Sequence, residues 1–335
     1  MKPSLPPWIA RQLVPALASP GHAHLLHGPA GLGQYELGLA LAHAWLCEQP
    51  QHDRTSCGQC PACHLNSVQS HPDLMMLMPE VQMLAMGWPM DERTRKELED
   101  DKKRKPSREI RIDAMRAAIE FCQRTSARGR GRLVLVYPAE RMNTITANAL
   151  LKTLEEPAGQ SRIVLCTEAA HAVLPTLRSR CLGHAMRRPQ AQEAIDWLVE
   201  QGLERSEASA LLRASGGQPA QALALHQSGV TAAQWQKLPQ AISAGQVQSL
   251  AQWSPAQLTD AMQRLCHDLM CQAAGAPARY FDSSDLPKRP IAMARLNTWA
   301  RELLQRMRTL EHPYIPGLWL EDTVARARVV LNSTQ

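Results

Sequence analysis

A short apolar run that leads directly into a glycine-rich turn constrains the fold of this chain more than any other feature. Ala23–His27 is followed by the stretch HGPAGLGQYE, and apolar residues at helical spacing resume over residues 36–46. A nucleotide-binding phosphate loop has this strand–loop–helix context, with Gly, four residues, Gly, Lys and then Ser or Thr. Gly28 and Gly33 fit the spacing, but Gln34 and Tyr35 occupy the Lys and Ser/Thr positions. The stretch is either a chance match or a loop that has lost its chemistry.

Alternating strand and helix patterns continue along the first half of the chain. Residues 132–137 (RLVLVY) and 162–167 (RIVLCT) are continuous apolar runs typical of buried parallel strands. Helical periodicity occupies residues 111–121 before the first run and ends at Pro157 before the second. The pattern predicts βαβ units and a parallel sheet flanked by helices, ending near Cys181-Leu182.

Strand signals disappear after Pro189, and the remaining sequence favours helices rich in Ala, Leu and Gln. We therefore predict an α/β domain over residues 1–186, a small helical domain over 187–245 and a larger helical domain over 246–335. A densely charged segment, residues 91–108, is expected to be an exposed helical or loop insertion with no assigned role.

Composition narrows the functional classes. The formal net charge is +6 with a pI of about 8.9, which permits contact with nucleic acid without establishing it. The sequence has no apolar run long enough for a membrane span and no apolar signal-peptide core, so we expect a cytoplasmic protein with no membrane partner. In that compartment its 9 cysteines favour metal ligands or buried thiols over disulfides.

Four of these cysteines form a cluster with metal-ligand spacing. Cys47, Cys57, Cys60 and Cys63 have the pattern C-x9-C-x2-C-x2-C, with Gly58 and Pro61 supplying turn residues between them. Two residues between cysteines allow both thiolates to reach one ion, and a four-cysteine site is closed and structural. The pattern predicts a structural Zn²⁺ ion, whereas the other five cysteines are interpreted as packing residues.

The second half of a nucleotide site is absent from the sequence. A phosphate-loop NTPase needs a carboxylate for Mg²⁺ at the end of a buried strand. The strand at 132–137 is followed by Pro138 and Ala139, and Glu140 is interpreted as a surface turn residue. With Gln34 and Tyr35, this predicts no ATP hydrolysis and makes ATP binding unlikely, although loop amides can still hold an anion.

Three segments together resemble a known family. The stretch NALLKTLEEP at residues 148–157, the Ser179-Arg180-Cys181 motif and the four-cysteine module after the phosphate-loop helix resemble bacterial clamp-loader subunits of the AAA+ class. The resemblance is strong through about residue 220. Within that family, a further ATP-handling position is changed, because Ala220 stands where active subunits have Arg in the second sensor.

The resemblance implies an AAA+ P-loop domain followed by an all-α lid and an all-α collar for oligomerisation. It also implies a hetero-pentamer with motor subunits of the gamma/tau type and a delta subunit, which opens a sliding clamp and loads it on primed DNA. Arg180 is then an arginine finger that acts in trans on the ATP of a neighbouring motor subunit, with nearby Arg178 as an alternative. The chain itself contributes no ATPase to this DNA polymerase complex.

Two other functions remain open at this stage. The first is an active P-loop ATPase of the motor type, in which Gln34 and Glu140 suffice. The second is a zinc-dependent DNA-binding module, although the residues next to the cysteines are not strongly cationic. Such a module would read only phosphate charge, so its binding should be weak and sensitive to salt.

Overall fold

The computed structural model describes residues 5–100, 104–309 and 314–333, which form two compact units, Met1–Pro189 and Gln190–Gln335. The first unit contains α1 (Pro7–Ala18), β1 (Ala23–His27), α2 (Gln34–Leu46), α3 (Pro61–Ser67), β2 (Leu74–Leu77), α4 (Glu80–Met86), α5 (Glu92–Asp100), α6 (Ile112–Gln123), β3 (Leu133–Val136), α7 (Thr144–Glu155), β4 (Arg162–Thr167), α8 (Pro175–Arg178) and β5 (Leu182–Ala185). The second contains α9 (Ala191–Glu200), α10 (Arg205–Ala214), α11 (Pro219–Gln227), α12 (Ala232–Ala244), α13 (Pro255–Ala273), α14 (Met293–Thr309) and α15 (Pro316–Leu331).

The first unit is built on a five-stranded parallel sheet with the order β2-β3-β4-β1-β5. The predicted strands β1, β3 and β4 are confirmed, as is the α/β class. Two strands were not predicted. β2 lies at one edge of the sheet and was hidden in a Met-rich segment, and β5 begins at Leu182, where the sheet pattern was expected to end. The residues of β5 are mostly exposed, so β5 lacks the continuous apolar run that marks a central strand.

Helix α2 packs closely on the sheet because it carries a glycine at the contact. A Cβ atom on Gly38 would lie 2.6 Å from the Cys166 Sγ atom and 2.8 Å from a Leu135 methyl group. On the same sheet, Val134, Ile163 and Leu165 join the side chains of α6 and α7 in one apolar core. The close contact at Gly38 fixes the position of α2 on the sheet, and α2 in turn positions the glycine-rich loop that precedes it.

The second unit is helical, as its sequence predicts. Its main apolar core runs from Ala214 to Leu331 and includes Trp235, which stacks on Phe281 at 4.8 Å between ring centroids. A smaller core lies among α9, α10 and α11. The boundary between lid and collar at residues 245 and 246 stays a prediction, and the main core extends across it.

Two further expectations bear on the described residues. The charged segment forms α5 over Glu92–Asp100, which has no buried residue, while residues 101–103 of the segment lie outside the described part of the chain. Among the helices of the described ranges, none combines the length and the apolar character that crossing a membrane would require.

Candidate functional site

The glycine-rich loop joins β1 to α2 and is closed by the side chain of Gln34. That side chain is 1% exposed, and its Nε2 atom donates to the carbonyl oxygens of Gly28 and Pro29, each at 2.8 Å. Gln34 is the first residue of α2, so its amide crosses the loop from the helix back to the end of the strand. The residue at the lysine position therefore binds the loop itself.

Helix α1 covers the loop from one side. Its Trp8 indole donates to the Leu32 carbonyl oxygen at 3.2 Å. Gly33 has φ +92°, and a Cβ atom there would lie 2.1 Å from the Ile9 Cδ1 atom. A glycine at this position is required by the backbone conformation and by the contact with α1.

Tyr35 is directed away from any position that would present its hydroxyl group to a metal ion at the loop. The Trp88 indole donates to the Tyr35 oxygen at 2.7 Å, and the Tyr35 ring lies 5.1 Å from the Tyr137 ring. Tyr137 follows β3 directly, where an NTPase would carry a carboxylate. Both tyrosine pKa values are raised by burial first, so both phenols are neutral.

Carboxylates surround the loop in place of cations. Glu36 lies next to Gly33, and burial raises its pKa. Glu168 follows β4; burial and then the charge of Glu140 raise its pKa, while a hydrogen bond from the Gly31 backbone N–H lowers it. The sequence has no Lys or Arg between Arg11 and Arg54. Acidic side chains and no Lys or Arg of this segment thus adjoin the loop, and their charge opposes a polyphosphate.

Glu140 is not the surface turn residue that was expected. One carboxylate oxygen accepts from the Glu168 backbone N–H at 3.2 Å, and the other is buried without a hydrogen-bond partner among the described residues. The interpretation was wrong because the short turn at 139–141 packs back on the sheet. The sequence pattern contains no signal for that contact.

The four predicted cysteines converge on one point. Cys47 caps the end of α2, Cys57 lies in the following loop, and Cys60 and Cys63 lie at the start of α3. The Sγ atom of Cys47 is 3.6 Å from that of Cys57, 3.8 Å from that of Cys60 and 3.6 Å from that of Cys63. All four sulfur atoms lie within 4.8 Å of one another, so the cluster can hold a metal ion.

Backbone amides point at these sulfur atoms. Gly58 N–H donates to Cys63 Sγ at 3.3 Å, Cys60 N–H to Cys57 Sγ at 3.3 Å, and Cys57 N–H to Cys47 Sγ at 3.4 Å. Such bonds stabilise thiolates and orient them, as the surroundings of bound metal ions commonly do.

Arg180 lies on the surface after α8, with its side chain 36% exposed. Its guanidinium group forms an ion pair with Glu155, and its NH1 atom donates to the Thr176 carbonyl oxygen at 3.0 Å. Glu155 belongs to the NALLKTLEEP stretch, so the two sequence motifs meet in space. The pairing holds the guanidinium group in place at an accessible position.

Comparison with known proteins identifies the family. A family model described as DNA polymerase III, delta subunit, matches residues 12–190, just over half of the chain. A protein of Escherichia coli K12 named DNA polymerase III subunit delta' is 32% identical over 259 residues, which is 72% of this chain and 70% of that protein. The chain belongs to the DNA polymerase III delta prime family.

Other members of this family match as well. The Pseudomonas aeruginosa protein of the same name is 37% identical over 216 residues, 64% of this chain and 58% of that protein's length. The chain therefore spans less than two thirds of this relative. A solved structure of a DNA polymerase III gamma subunit-related protein from Thermotoga maritima covers 96% of this chain and 99% of its own, with 17% identity and a TM-score of 0.45.

Several residues of the site have no sequence signal. The indole of Trp88 on Tyr35, the cover of the loop by Ile9 and the carboxylate of Glu168 at Gly31 all depend on contacts between distant segments. The glycine spacing and the cysteine spacing, in contrast, are local and were sufficient to locate the loop and the cluster.

Proposed function

We propose that this chain is a non-hydrolysing subunit of the replicative clamp loader in the cytoplasm. In this role it assembles with gamma/tau-type motor subunits and a delta subunit, and it helps to open the sliding clamp and load it on primed DNA. Membership of the delta prime family supports the proposal, as does the parallel-sheet fold.

One observation carries the loss of hydrolysis. The loop is bonded by its own chain, because the Gln34 amide donates to the carbonyl oxygens of Gly28 and Pro29. A nucleotide would have to displace these contacts without gaining a lysine, a hydroxyl ligand for Mg²⁺ or a strand carboxylate. In the alternative, an active motor-type ATPase, other side chains would have to replace the lysine, the hydroxyl ligand for Mg²⁺ and the strand carboxylate.

A titration of the isolated chain with ATP and Mg²⁺ tests this part of the proposal. We expect no saturable binding and no release of phosphate. Tight Mg²⁺-dependent binding with turnover would refute it and favour the motor-type alternative.

Arg180 is the group that we propose acts on a neighbouring subunit. Its charge is permanent, its donors are planar and fixed, and a guanidinium group of this kind stabilises the charge of a transferring phosphoryl group. The local pair with Glu155 supports the proposal because it orders the side chain at the surface before assembly. In the assembled loader the phosphate oxygens would take over from Glu155 as acceptors.

The test is ATP hydrolysis by the reconstituted loader in the presence of primed DNA. Arg180→Ala is expected to lower hydrolysis several-fold while the complex still assembles. Arg178→Ala, which removes the alternative finger on the same exposed turn, is expected to leave hydrolysis close to the wild-type rate; the reverse pattern would assign the role to Arg178. Glu155→Ala removes the local partner alone, and should leave most of the hydrolysis intact. An Arg180→Ala loader with unchanged hydrolysis would exclude Arg180 from the mechanism.

We also propose that the four cysteines hold a structural Zn²⁺ ion. Four thiolates at about 2.3 Å from a tetrahedral ion lie about 3.8 Å from one another, which matches the sulfur separations of 3.6 to 3.9 Å. All four positions are filled by protein ligands, so the ion has no open site for chemistry. Elemental analysis of the purified chain should give one zinc per chain.

A further inference from the structure

A cavity of about 600 Å³ lies at the amino ends of β1 and β4, the opposite end of the sheet from the glycine-rich loop. Its charged lining residues are Arg54, Arg130 and Arg162, and no acidic side chain lines it. Trp45 of α2 forms part of the wall.

The three arginines have no counter-charge. In the part of the chain that the structure describes, none of them forms an ion pair with a carboxylate, and the Nε atom of Arg130 is buried without a hydrogen-bond partner. The pKa of Arg162 is lowered, first by its burial and then by the charge of Arg130. Arg130 and Arg162 are partly buried, whereas Arg54 is exposed at the rim of the cavity. Unpaired guanidinium groups in a partly buried site repel one another, so an anion between them would relieve an unfavourable interaction.

The aromatic groups next to the cavity do not take the role of the anion. The Arg162 guanidinium carbon lies 5.3 Å from the centre of the Trp45 ring, and His24 lies 5.1 Å from the same ring. Because Trp45 is already in contact with both, it is not available for stacking on a base. Recognition at this cavity therefore depends on charge and on guanidinium hydrogen bonds.

We propose that this cavity is a binding site for a phosphate group. Three guanidinium groups present several N–H donors, more than one carboxylate can accept. Free phosphate offers four oxygen atoms and up to two negative charges, and a nucleic-acid backbone offers two unesterified oxygen atoms and one negative charge at each of its successive phosphates. The phosphate can belong to a nucleic-acid backbone or be free in solution. Arg54 lies in the loop between Cys47 and Cys57, so the cysteine module supplies one wall of the site.

The first test is thermal unfolding of the full chain in inorganic phosphate and in chloride at matched ionic strength. A ligand that binds only the folded chain raises its melting temperature. We expect a phosphate-specific rise for the wild-type chain that is lost in the double variant Arg130→Gln/Arg162→Gln. Without phosphate, the double variant should melt at or above the wild-type temperature, because the repulsion is removed; arginines that only support the fold would give the opposite result.

Two further variants serve as controls. Arg116→Gln removes an exposed arginine of α6, and it should keep the full phosphate-specific rise, which controls for the loss of a positive charge elsewhere on the chain. The rise that remains in the double variant measures the general effect of phosphate on protein stability. Arg54→Gln changes an exposed residue of the cavity and should reduce the rise even if the double variant fails to fold.

Fluorescence anisotropy with a short oligothymidylate at low salt separates the two sources of phosphate. If the backbone of DNA is the ligand, the oligonucleotide binds the wild-type chain, inorganic phosphate displaces it, and Arg130→Gln/Arg162→Gln abolishes binding. If only free phosphate binds, the melting shift is seen and the anisotropy does not change. Both results support a phosphate site.

Two outcomes would overturn the proposal. One is an equal phosphate effect in the wild-type chain, the cavity variants and Arg116→Gln. The other is stabilisation by an oligoglutamate peptide as strong as that by phosphate, which would indicate an acidic protein partner. Neither ATP nor partner subunits take part, so the result is independent of the proposed loader function.

Discussion

At the lysine position of the loop, Gln34 combines burial with two hydrogen bonds to loop carbonyl groups. A lysine there would bind phosphate, but the glutamine amide stabilises the empty turn instead. The same loop shape is thus retained for a structural reason. The glycines remain because the chain still has to pass from β1 to α2 beneath Ile9.

Replacing Gln34 by leucine should destabilise the chain by about 1–3 kcal/mol. The change keeps most of the side-chain volume but leaves the carbonyl groups of Gly28 and Pro29 without their donor. Chemical denaturation measures the loss. The control Gln123→Leu, at the exposed end of α6, should change the free energy of unfolding by less than about 0.5 kcal/mol. Equal effects of the two substitutions would contradict the role given to Gln34.

Gly33→Ala tests the contact between the loop and α1. The left-handed backbone alone should cost about 1–2 kcal/mol, and the clash with Ile9 should add about 1–3 kcal/mol. Gly87 has φ +68° with open space around it, so Gly87→Ala reports the backbone part alone. In a chain that already carries Ile9→Ala, Gly33→Ala should lower the free energy of unfolding by little more than Gly87→Ala does. An undiminished effect of Gly33→Ala would show that Ile9 is not the obstacle.

Among the elements, β1 carries a buried histidine that makes stability depend on pH. Burial lowers the pKa of His24 from 6.5 to about 4, helped by the charge of His184, whose Nε2 atom lies 3.0 Å from His24 Nδ1. Burial also lowers the pKa of His184. Both rings are neutral in the folded chain at neutral pH. The unfolded chain therefore binds more protons than the folded chain between pH 4 and 6.5.

Because the unfolded chain binds more protons, the free energy of unfolding should be highest above about pH 6.5 and should fall progressively as the pH falls towards 4. The contribution of His24 is about 2 kcal/mol after allowance for partial solvent screening. Denaturation at several pH values measures it, and the slope should decrease in His24→Gln, because that side chain does not titrate. An unchanged slope would mean that other groups cause the acid sensitivity.

The cysteine module is a second element whose stability we expect to depend on a ligand, because the free energy of binding a metal ion to four cysteines adds to the free energy of folding. Chelation of the metal should lower the melting temperature of the chain, with assembly lost only as a consequence. Cys60→Ser should lose the zinc, whereas Cys122→Ser, which alters a buried cysteine outside the cluster, should keep it. Equal stability of the metal-free and zinc-loaded chains would contradict a structural role.

At the scale of the whole molecule, the two units have separate apolar cores. The core on the sheet draws all of its members from the first unit, and the cores of the helical part draw theirs from the second. Within the second unit, buried Asp268 accepts hydrogen bonds from the backbone N–H groups of residues 279, 280 and 281. The buried Asp268 carboxylate is thus satisfied by backbone groups of its own unit.

A fragment covering Gln190–Gln335 should accordingly fold without the rest of the chain. We expect a helical circular dichroism spectrum, dispersed amide proton resonances and a single cooperative thermal transition. Asp268→Asn in the fragment should weaken the bonds to residues 279–281 and lower the transition temperature. A fragment that shows no cooperative transition would indicate that its core depends on the first unit.

The sequence by itself determined the features that depend on local spacing. Three strands were located by their apolar runs, the loop by Gly28 and Gly33, and the cysteine cluster by the spacing of its four members. These signals are local because strand burial, tight turns and paired ligands each involve residues a few positions apart. The NALLKTLEEP and Ser-Arg-Cys stretches pointed to the family that the comparisons then identified.

Only the tertiary structure decided what fills the loop and what faces the cavity at the other end of the sheet. Glu168 reaches Gly31 from β4, Ile9 reaches Gly33 from α1, and Arg162 meets Arg130 although no pattern links them. Edge strands β2 and β5 were also recognised only in the structure, because β2 is just four residues long in a Met-rich segment and β5 is mostly exposed. Contacts between distant segments are set by how helices pack on the sheet, and side-chain spacing along the chain carries no record of them.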